Sequence, residues 1–297
     1  KTLGKKNSPR NRINLFTGYI SPSDIRNVKE ILSRFSQDYT LFPDYSETLD
    51  GVIWDSYNRI PEGGTPVDEI IICADALSSF EFGYTMDDES AGNYLEKAFG
   101  VKNHRMGYPI GVKETDKFLE ALSKVLGKPI PEYYEKERGR LIDAYVDGHK
   151  YVSGKKAVVY GEEDLIIGIT AFLAEIGITP VLIASGGESG KLEKYIYQIS
   201  PRLKDKVRIR EGYDFNEIEE EAGLLKPDII IGNSKGYAFA KKMNLPLIRI
   251  GFPIHDRFGG SRIEHLFYKG TLSLFDKIVN AFIEKRQDES PVGYSYI

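Results

Sequence analysis

The sequence predicts an α/β fold: two consecutive Rossmann-like domains with mostly parallel sheets, joined by a long helix. Three observations lead there. Short β-rich runs alternate with longer amphipathic stretches, the pattern of βα units feeding a parallel sheet. One segment, 131–152, interrupts that alternation. It starts on proline, holds no glycine before Gly139, and carries apolar Leu141, Ile142, Tyr145, Val146 and Tyr151, as one long helix would. The chain has 297 residues, enough for two domains at roughly 150 residues each.

Taken in order, residues 1–12 (KTLGKKNSPRNR) read as a polar linker with five cations and no acid. The first domain, 13–152, opens on a strand at Ile13–Tyr19. Ser21-Pro22-Ser23-Asp24 then supplies an N-cap, a first-turn proline and an early acid for a helix to about Phe35. A strand at Tyr39–Phe42 leads into an Asp-, Ser- and Gly-rich loop over 44–64, and Thr65-Pro66 with Asp68 opens a further helix. Strand Ser79–Tyr84, helix Ser90–Phe99, a short run near Arg105–Tyr108 and helix Thr115–Leu126 follow, before the long helix 131–152. The second domain, 153–297, restarts the series. Its strands fit Lys156–Tyr160, Pro180–Ala184, Lys206–Arg210, Asp228–Ile231 and Leu247–Gly251. Its helices fit Glu163–Glu175, Gly190–Ile199, Asn216–Leu225, Gly236–Met243 and Leu272–Arg286.

Composition excludes several functions. Hydrophobic residues make up 41% and charged residues 28%, ordinary for a globular chain with real cores. No apolar run reaches the roughly 18 residues of a membrane span. The net charge of −4 argues against a nucleic-acid or membrane-surface binder. A single cysteine, Cys73, forbids an internal disulfide, fits a reducing cytoplasmic setting, and cannot hold an iron–sulfur cluster alone. It reads as a small buried hydrophobe ending a strand EIIIC (69–73). The chain starts without methionine or signal peptide and enters a strand almost at once, as if a preceding region were missing.

Four motifs invite chemistry. The turn SGGESGK (185–191) resembles a phosphate loop, but only three residues separate Gly186 from Gly190, and Leu192 stands where a Mg²⁺-binding hydroxyl is needed. It reads as a flexible βα turn whose amides could still meet an anion. Gly232-Asn233-Ser234-Lys235-Gly236 is a formal GxSxG, with Asp256, His255 and His265 downstream. The charged Lys235 beside the serine favours a glycine-lined turn in which Ser234 caps a helix. Asp143, Asp147 and His149 share the long helix without converging on one point, and read as a solvated or interface face. The densest constellation is RIGFPIHDRFGGSR (249–262), where Arg249, His255, Asp256, Arg257 and Arg262 crowd a loop at the carboxyl edge of a parallel sheet. Such a loop could hold an anionic cluster, an anionic ligand or a partner subunit, or simply be a hydrogen-bonded structural loop.

At that loop the chain resembles the nitrogenase component 1 family. RIGFPIHDR (249–257) and PDIIIGNSKG (227–236) carry the likeness. It runs collinearly back through GKKAVVYGEEDLIIGI (154–169), ERGRLIDA (137–144), PEGGT (61–65) and TLFPDYSETLDG (40–51), covering nearly the whole chain. The resemblance implies subunits of three Rossmann-like domains, of which this chain is similar to the second and third. The cluster-ligating cysteines of the first domain are absent here. Within the family, ERGRLIDA is similar to the β subunit of the catalytic molybdenum–iron protein. DAYVDGHKY (143–151), GFPIHDRFGGSR and the tail ESPVGYSYI (289–297) look more like the N subunit of the scaffold on which the iron–molybdenum cofactor is assembled. That second likeness implies an architectural role in a heterotetramer with an E-type scaffold subunit. A [4Fe–4S] cluster and an iron–molybdenum cofactor precursor are then expected in the full complex but not on this chain alone. It also implies transient docking of the nitrogenase iron protein, and no nucleic-acid or membrane partner. No catalytic or metal-ligating residue is assigned. Asn233, Ser234, Lys235, Arg249, His255, Asp256, Arg257 and Arg262 are the candidate interface or anion-contact residues. The alternative is the catalytic β subunit; a more remote one is a two-lobed ligand-binding protein or serine hydrolase.

Overall fold

The computed structural model describes residues 4, 6–59 and 63–292. Part of the 1–12 linker, Pro61 and Glu62 of PEGGT, and residues 293–297 of the tail lie outside the described residues. The first sheet holds β1 (Arg12–Phe16), β2 (Asp38–Phe42), β3 (Ser78–Phe82) and β4 (Lys102–Met106), in the order β2-β1-β3-β4. Its helices are α1 (Pro22–Arg34), α2 (Val67–Ile71), α3 (Ala91–Phe99) and α4 (Val112–Leu126). The long helix is α5 (Glu132–Val152). The second sheet holds β5 (Lys156–Tyr160), β6 (Thr179–Ala184), β7 (Arg208–Arg210), β8 (Ile229–Gly232) and β9 (Leu247–Arg249), in the order β7-β6-β5-β8-β9. Its helices are α6 (Glu163–Glu175), α7 (Leu192–Ile199), α8 (Phe215–Leu225), α9 (Tyr237–Lys242) and α10 (Phe267–Asp288). Every pairing in both sheets is parallel. Among the described residues, no helix is long and apolar enough to cross a membrane.

Local chemistry explains the element ends. Ser21 caps α1 by accepting from the Asp24 amide, and Ser90 caps α3 by accepting from Asn93. Asp214 and Glu217 form a reciprocal capping box at α8. β3 stops two residues before the expected Tyr84 because Gly83 turns the chain at φ +117°, where a Cβ would sit 2.8 Å from the Asp164 carboxylate.

One expected strand is corrected. EIIIC does not extend a sheet: it is the end of α2 and a 3₁₀ turn, Ile72–Asp75. Both neighbours of β1 are already β2 and β3. The turn therefore lies across the sheet face, where Asn14 Nδ2 donates to the Cys73 carbonyl at 2.9 Å. Cys73 itself is buried among Phe16, Leu95 and Val101.

Alternation along the strands divides the core. Ala157 and Val159 of β5 join one apolar cluster, while Val158 and Tyr160 face another on the opposite side of the sheet. The larger cluster runs without a break from Ile13 and Leu15 of β1 to Phe275 and Ile278 of α10. α10 packs on both α4 and α5, so the two sheets are bound into one interior.

Three carboxylates reinforce that junction. Asp24 accepts from the His265 and Leu266 amides, each at 2.9 Å. Asp164 accepts from the amides of Tyr84 at 2.6 Å and Thr85 at 3.1 Å, and from the Thr85 hydroxyl at 2.8 Å. Glu175 takes the first amides of α4, Val112 at 2.8 Å and Lys113 at 2.9 Å. α4 therefore begins at Val112, three residues before the expected Thr115, with its cap supplied by the other sheet's helix. Phe267 adopts φ +60° at the start of α10, a conformation that costs a bulky residue about 1–2 kcal/mol. It is held there by the hydrogen bond its amide donates to the Pro109 carbonyl at 2.7 Å and by its ring against Phe118.

Candidate functional site

The carboxyl ends of the strands carry the candidate residues. Numbered within its own sheet, the second half runs 3-2-1-4-5, so its topological switch point lies between β5 and β8. In open α/β sheets the crevice beyond such a point is where ligands collect. The turn after β8 and the loop after β9 meet there.

Ser234 and the loop are stitched together. The Ser234 amide and hydroxyl both donate to the Pro253 carbonyl, at 3.1 and 2.9 Å, and the Ser234 oxygen accepts the His255 amide at 3.2 Å. Asn233 accepts the Lys235 amide at 3.1 Å and donates to the Phe252 carbonyl at 3.5 Å. Tyr160 closes the turn from below, donating to the Asn233 carbonyl at 2.5 Å and accepting the Gly236 amide at 3.1 Å. The serine thus spends its proton on a carbonyl, no imidazole reaches it, and Asp256 is engaged elsewhere. A hydrolase triad does not form here.

Arg249 holds Asp256 with two hydrogen bonds, 2.8 Å from Nε and 2.5 Å from Nη2. This fork keeps the loop after β9 folded back on its strand. Arg257 donates to the Asp256 carbonyl at 2.6 Å and lies 3.6 Å from its carboxylate. Arg262 turns away, toward Asp50 at 3.7 Å and over the Phe258 ring at 5.2 Å. Lys235 and His255 point into solvent. The structure therefore splits the set: Asn233, Ser234, Arg249 and Asp256 build the loop, while Lys235, His255, Arg257 and Arg262 present charge or polarity outward.

The fork lowers the Asp256 carboxyl below its ordinary range, chiefly through hydrogen bonding to Arg249. A depressed carboxyl favours the folded loop above the unfolded value of about 3.9, and that contribution fades as pH falls through the folded value. The Asp256 carboxyl carbon resonance is expected to titrate below the usual aspartate range, and to return to it in Arg249→Gln. An ordinary titration in the unaltered chain would rule out the fork as the loop's anchor.

The surface beside this loop escaped the sequence reading. Phe258 at the loop tip is 100% exposed. Asp50, which Arg262 approaches, also pairs with Arg26 at 2.5 Å, tying in the 44–58 loop that follows β2. That loop exposes Val52 at 79%, Ile53 at 94% and Tyr57 at 84%, along with half of the chain's single tryptophan, Trp54. Large apolar side chains exposed along one loop, with Arg26 and Arg262 paired to its Asp50, have the anatomy of an interaction surface. The signal was present as VIWDSY inside a loop otherwise rich in Asp, Ser and Gly.

The SGGESGK turn offers little to an anion. The Gly187 amide donates to Ser185 Oγ at 2.9 Å and the Ser189 amide to Glu163 at 3.2 Å. Lys191 Nζ turns away to the Met86 carbonyl at 2.7 Å.

A cluster ligand is not found in Cys73 either. Burial pushes its thiol up to about 11, and its Sγ lies 3.4 Å from the Glu69 carbonyl. A neutral buried thiol is a poor ligand. Among the described residues, no group of three His, Cys, Asp or Glu side chains is placed to hold a metal ion. Asp143, Asp147 and His149 lie exposed along α5. The residues present do not fit an iron–sulfur cluster held by this chain alone.

Comparison with known proteins places this geometry. The family model for nitrogenase component 1 type oxidoreductase matches residues 1–283. The nitrogenase molybdenum–iron protein beta chain of Clostridium pasteurianum is 34% identical over 292 residues, 97% of this chain and 62% of that protein. The nitrogenase vanadium–iron protein beta chain of Trichormus variabilis is 33% identical, over 94% of this chain and 61% of its own length. A solved structure of nitrogenase Cp1 at pH 6.5 superposes with a TM-score of 0.95 at 30% identity, covering all of this chain and 65% of that one. The chain thus spans about three fifths of the curated relatives it matches.

Proposed function

Because this chain belongs to the nitrogenase component 1 type oxidoreductase family, we propose that it is the part of a β-type nitrogenase subunit that docks and buttresses an α-type partner. The observation carrying this reading is the exposure of Trp54, Ile53, Tyr57 and Phe258, with Arg262 lying over the Phe258 ring and reaching Asp50 at the head of the 52–57 run. Relatives that name a β chain of the molybdenum–iron and vanadium–iron proteins support the β-type assignment over the scaffold subunit that the 249–262 loop first suggested. In this reading the two sheets are the family's second and third units, divided near residue 153, and work in the cytoplasm. Iron–sulfur chemistry belongs to the assembled complex, reached by an iron protein that docks transiently. This chain's residues contribute shape and charge: Arg249 fixes the loop through Asp256, and Phe258 enters the partner.

The test is co-expression with an α-type nitrogenase subunit, followed by affinity capture. We expect a stable complex, weakened at least about tenfold by Phe258→Asp with Trp54→Asp, as loss of central aromatic anchors implies. Failure of the unaltered chain to bind would sink the reading. A second reading, the scaffold N subunit, is favoured by DAYVDGHKY and GFPIHDRFGGSR. It predicts capture by an E-type scaffold subunit in preference to the α-type one.

A further inference from the structure

A cleft of about 530 Å³ opens over the carboxyl ends of β5, β6 and β8, separate from the exposed apolar surface. Its size suits a small ligand, and a Rossmann-like switch point ordinarily offers such a ligand's phosphate a free helix N-terminus and a bare glycine turn. Here both are already filled. Glu162 caps α6 itself, accepting the amides of Asp164 at 3.1 Å and Leu165 at 2.9 Å. Ser185 and Glu163 take the amides of Gly187 and Ser189. Among the described residues lining the cleft there is no lysine or arginine, but there are three glutamates: Glu162, Glu163 and Glu188. The charged groups of the lining therefore disfavour an anion.

The same walls suit a cation. Glu163 is 6% exposed, and only its Oε1 accepts a hydrogen bond, from Ser189. Oε2 accepts no hydrogen bond among the described residues, and Glu163 lines the cleft. The floor is tight at Gly187, where a Cβ would stand 3.0 Å from Glu163 Oε1. Glu188 is exposed across the opening, its side chain laid over Gly212, where a Cβ would come within 2.5 Å of it. Phe215, 39% exposed and edge-on to Tyr160 at 5.6 Å, supplies an aromatic face. Tyr213, also in the lining, already has Arg210 over its ring at 5.7 Å. Burial and the neighbouring Asp164 push Glu162 up to about 7, although its side chain remains open to the cleft.

We propose that this cleft binds an organic cation, an ammonium or guanidinium seated between Glu163 and Glu188 against Phe215. Agmatine, which carries both groups, is the probe for a free small cation. A blocked Gly-Arg-Gly peptide is the probe for an arginine side chain, and ADP is the anionic control. Calorimetry on the full chain should show agmatine or the peptide binding and ADP failing to bind. Proton release should accompany binding near pH 7 as Glu162 ionises. Glu163→Gln with Glu188→Gln should weaken binding at least about tenfold, the loss expected for charge-assisted contacts. Glu188→Gln alone alters an exposed side chain, so it should weaken binding even if the buried substitution disturbs folding. Agmatine binding without the peptide assigns a free cation, and tighter peptide binding assigns a protein side chain. No binding of either at millimolar concentration, preference for ADP, or affinity unchanged by Glu188→Gln would overturn the proposal.

Discussion

Asp24→Ala is expected to lower the free energy of unfolding by about 3 kcal/mol, read from urea denaturation. Asp24 is 1% exposed in the first turn of α1, where the helix dipole favours a carboxylate. Its Oδ1 accepts the amides of His265 and Leu266, and its Oδ2 accepts the Ser21 hydroxyl at 2.9 Å. Alanine leaves two backbone donors buried beside a strained turn at Phe267, each costing about 1–3 kcal/mol. The relief of a buried carboxylate's desolvation offsets part of that loss. Asp24→Asn keeps one oxygen in place and should cost about 1 kcal/mol. Amides at 265–270 should lose exchange protection first in the alanine variant, because this clasp pins the start of α10. A loss below about 1 kcal/mol for alanine would mean that the clasp contributes little beyond solvent exposure.

Phe118→Ala should cost about 4 kcal/mol. Phe118 is fully buried on α4 and meets Phe80 at 6.1 Å and Phe82 at 5.4 Å, both edge-on, and Phe267 at 5.4 Å. Truncation therefore removes the ring that joins the first sheet to the last helix. Phe118→Leu retains most of the volume and should cost roughly 1–1.5 kcal/mol. If the two sheets unfold as one body, Phe118→Ala shifts a single transition. Two separated transitions, only one of them moved, would show that the continuous core does not couple the halves.

Legibility followed the range over which each feature is determined. β5 and α6 match the sequence reading residue for residue at Lys156–Tyr160 and Glu163–Glu175, because alternation and helical periodicity are local. EIIIC failed because a short apolar run carries no period of its own; Pro66 and the occupied edges of β1 decided it. α10 begins five residues before the expected Leu272, since Asp24 and Pro109, distant in sequence, fix its first turn. The clasps at Asp24, Asp164 and Glu175 leave no sequence signal at all, for each carboxylate looks like an ordinary first- or last-turn acid of its own helix. At the candidate site, the loop 249–262 was legible by charge density and glycine punctuation. Its division into inward anchors and outward contacts required geometry, and so did the link from Arg262 to the 44–58 loop.

We propose that cluster chemistry lies outside this chain, whose task is to dock a partner. Iron and sulfide analysis with paramagnetic resonance, on the chain purified anaerobically alone and then with its α-type partner, tests this most directly. We predict substoichiometric iron on the chain alone, whose only thiol is the buried Cys73. A stable, stoichiometric iron–sulfur cluster on the isolated chain would contradict the account.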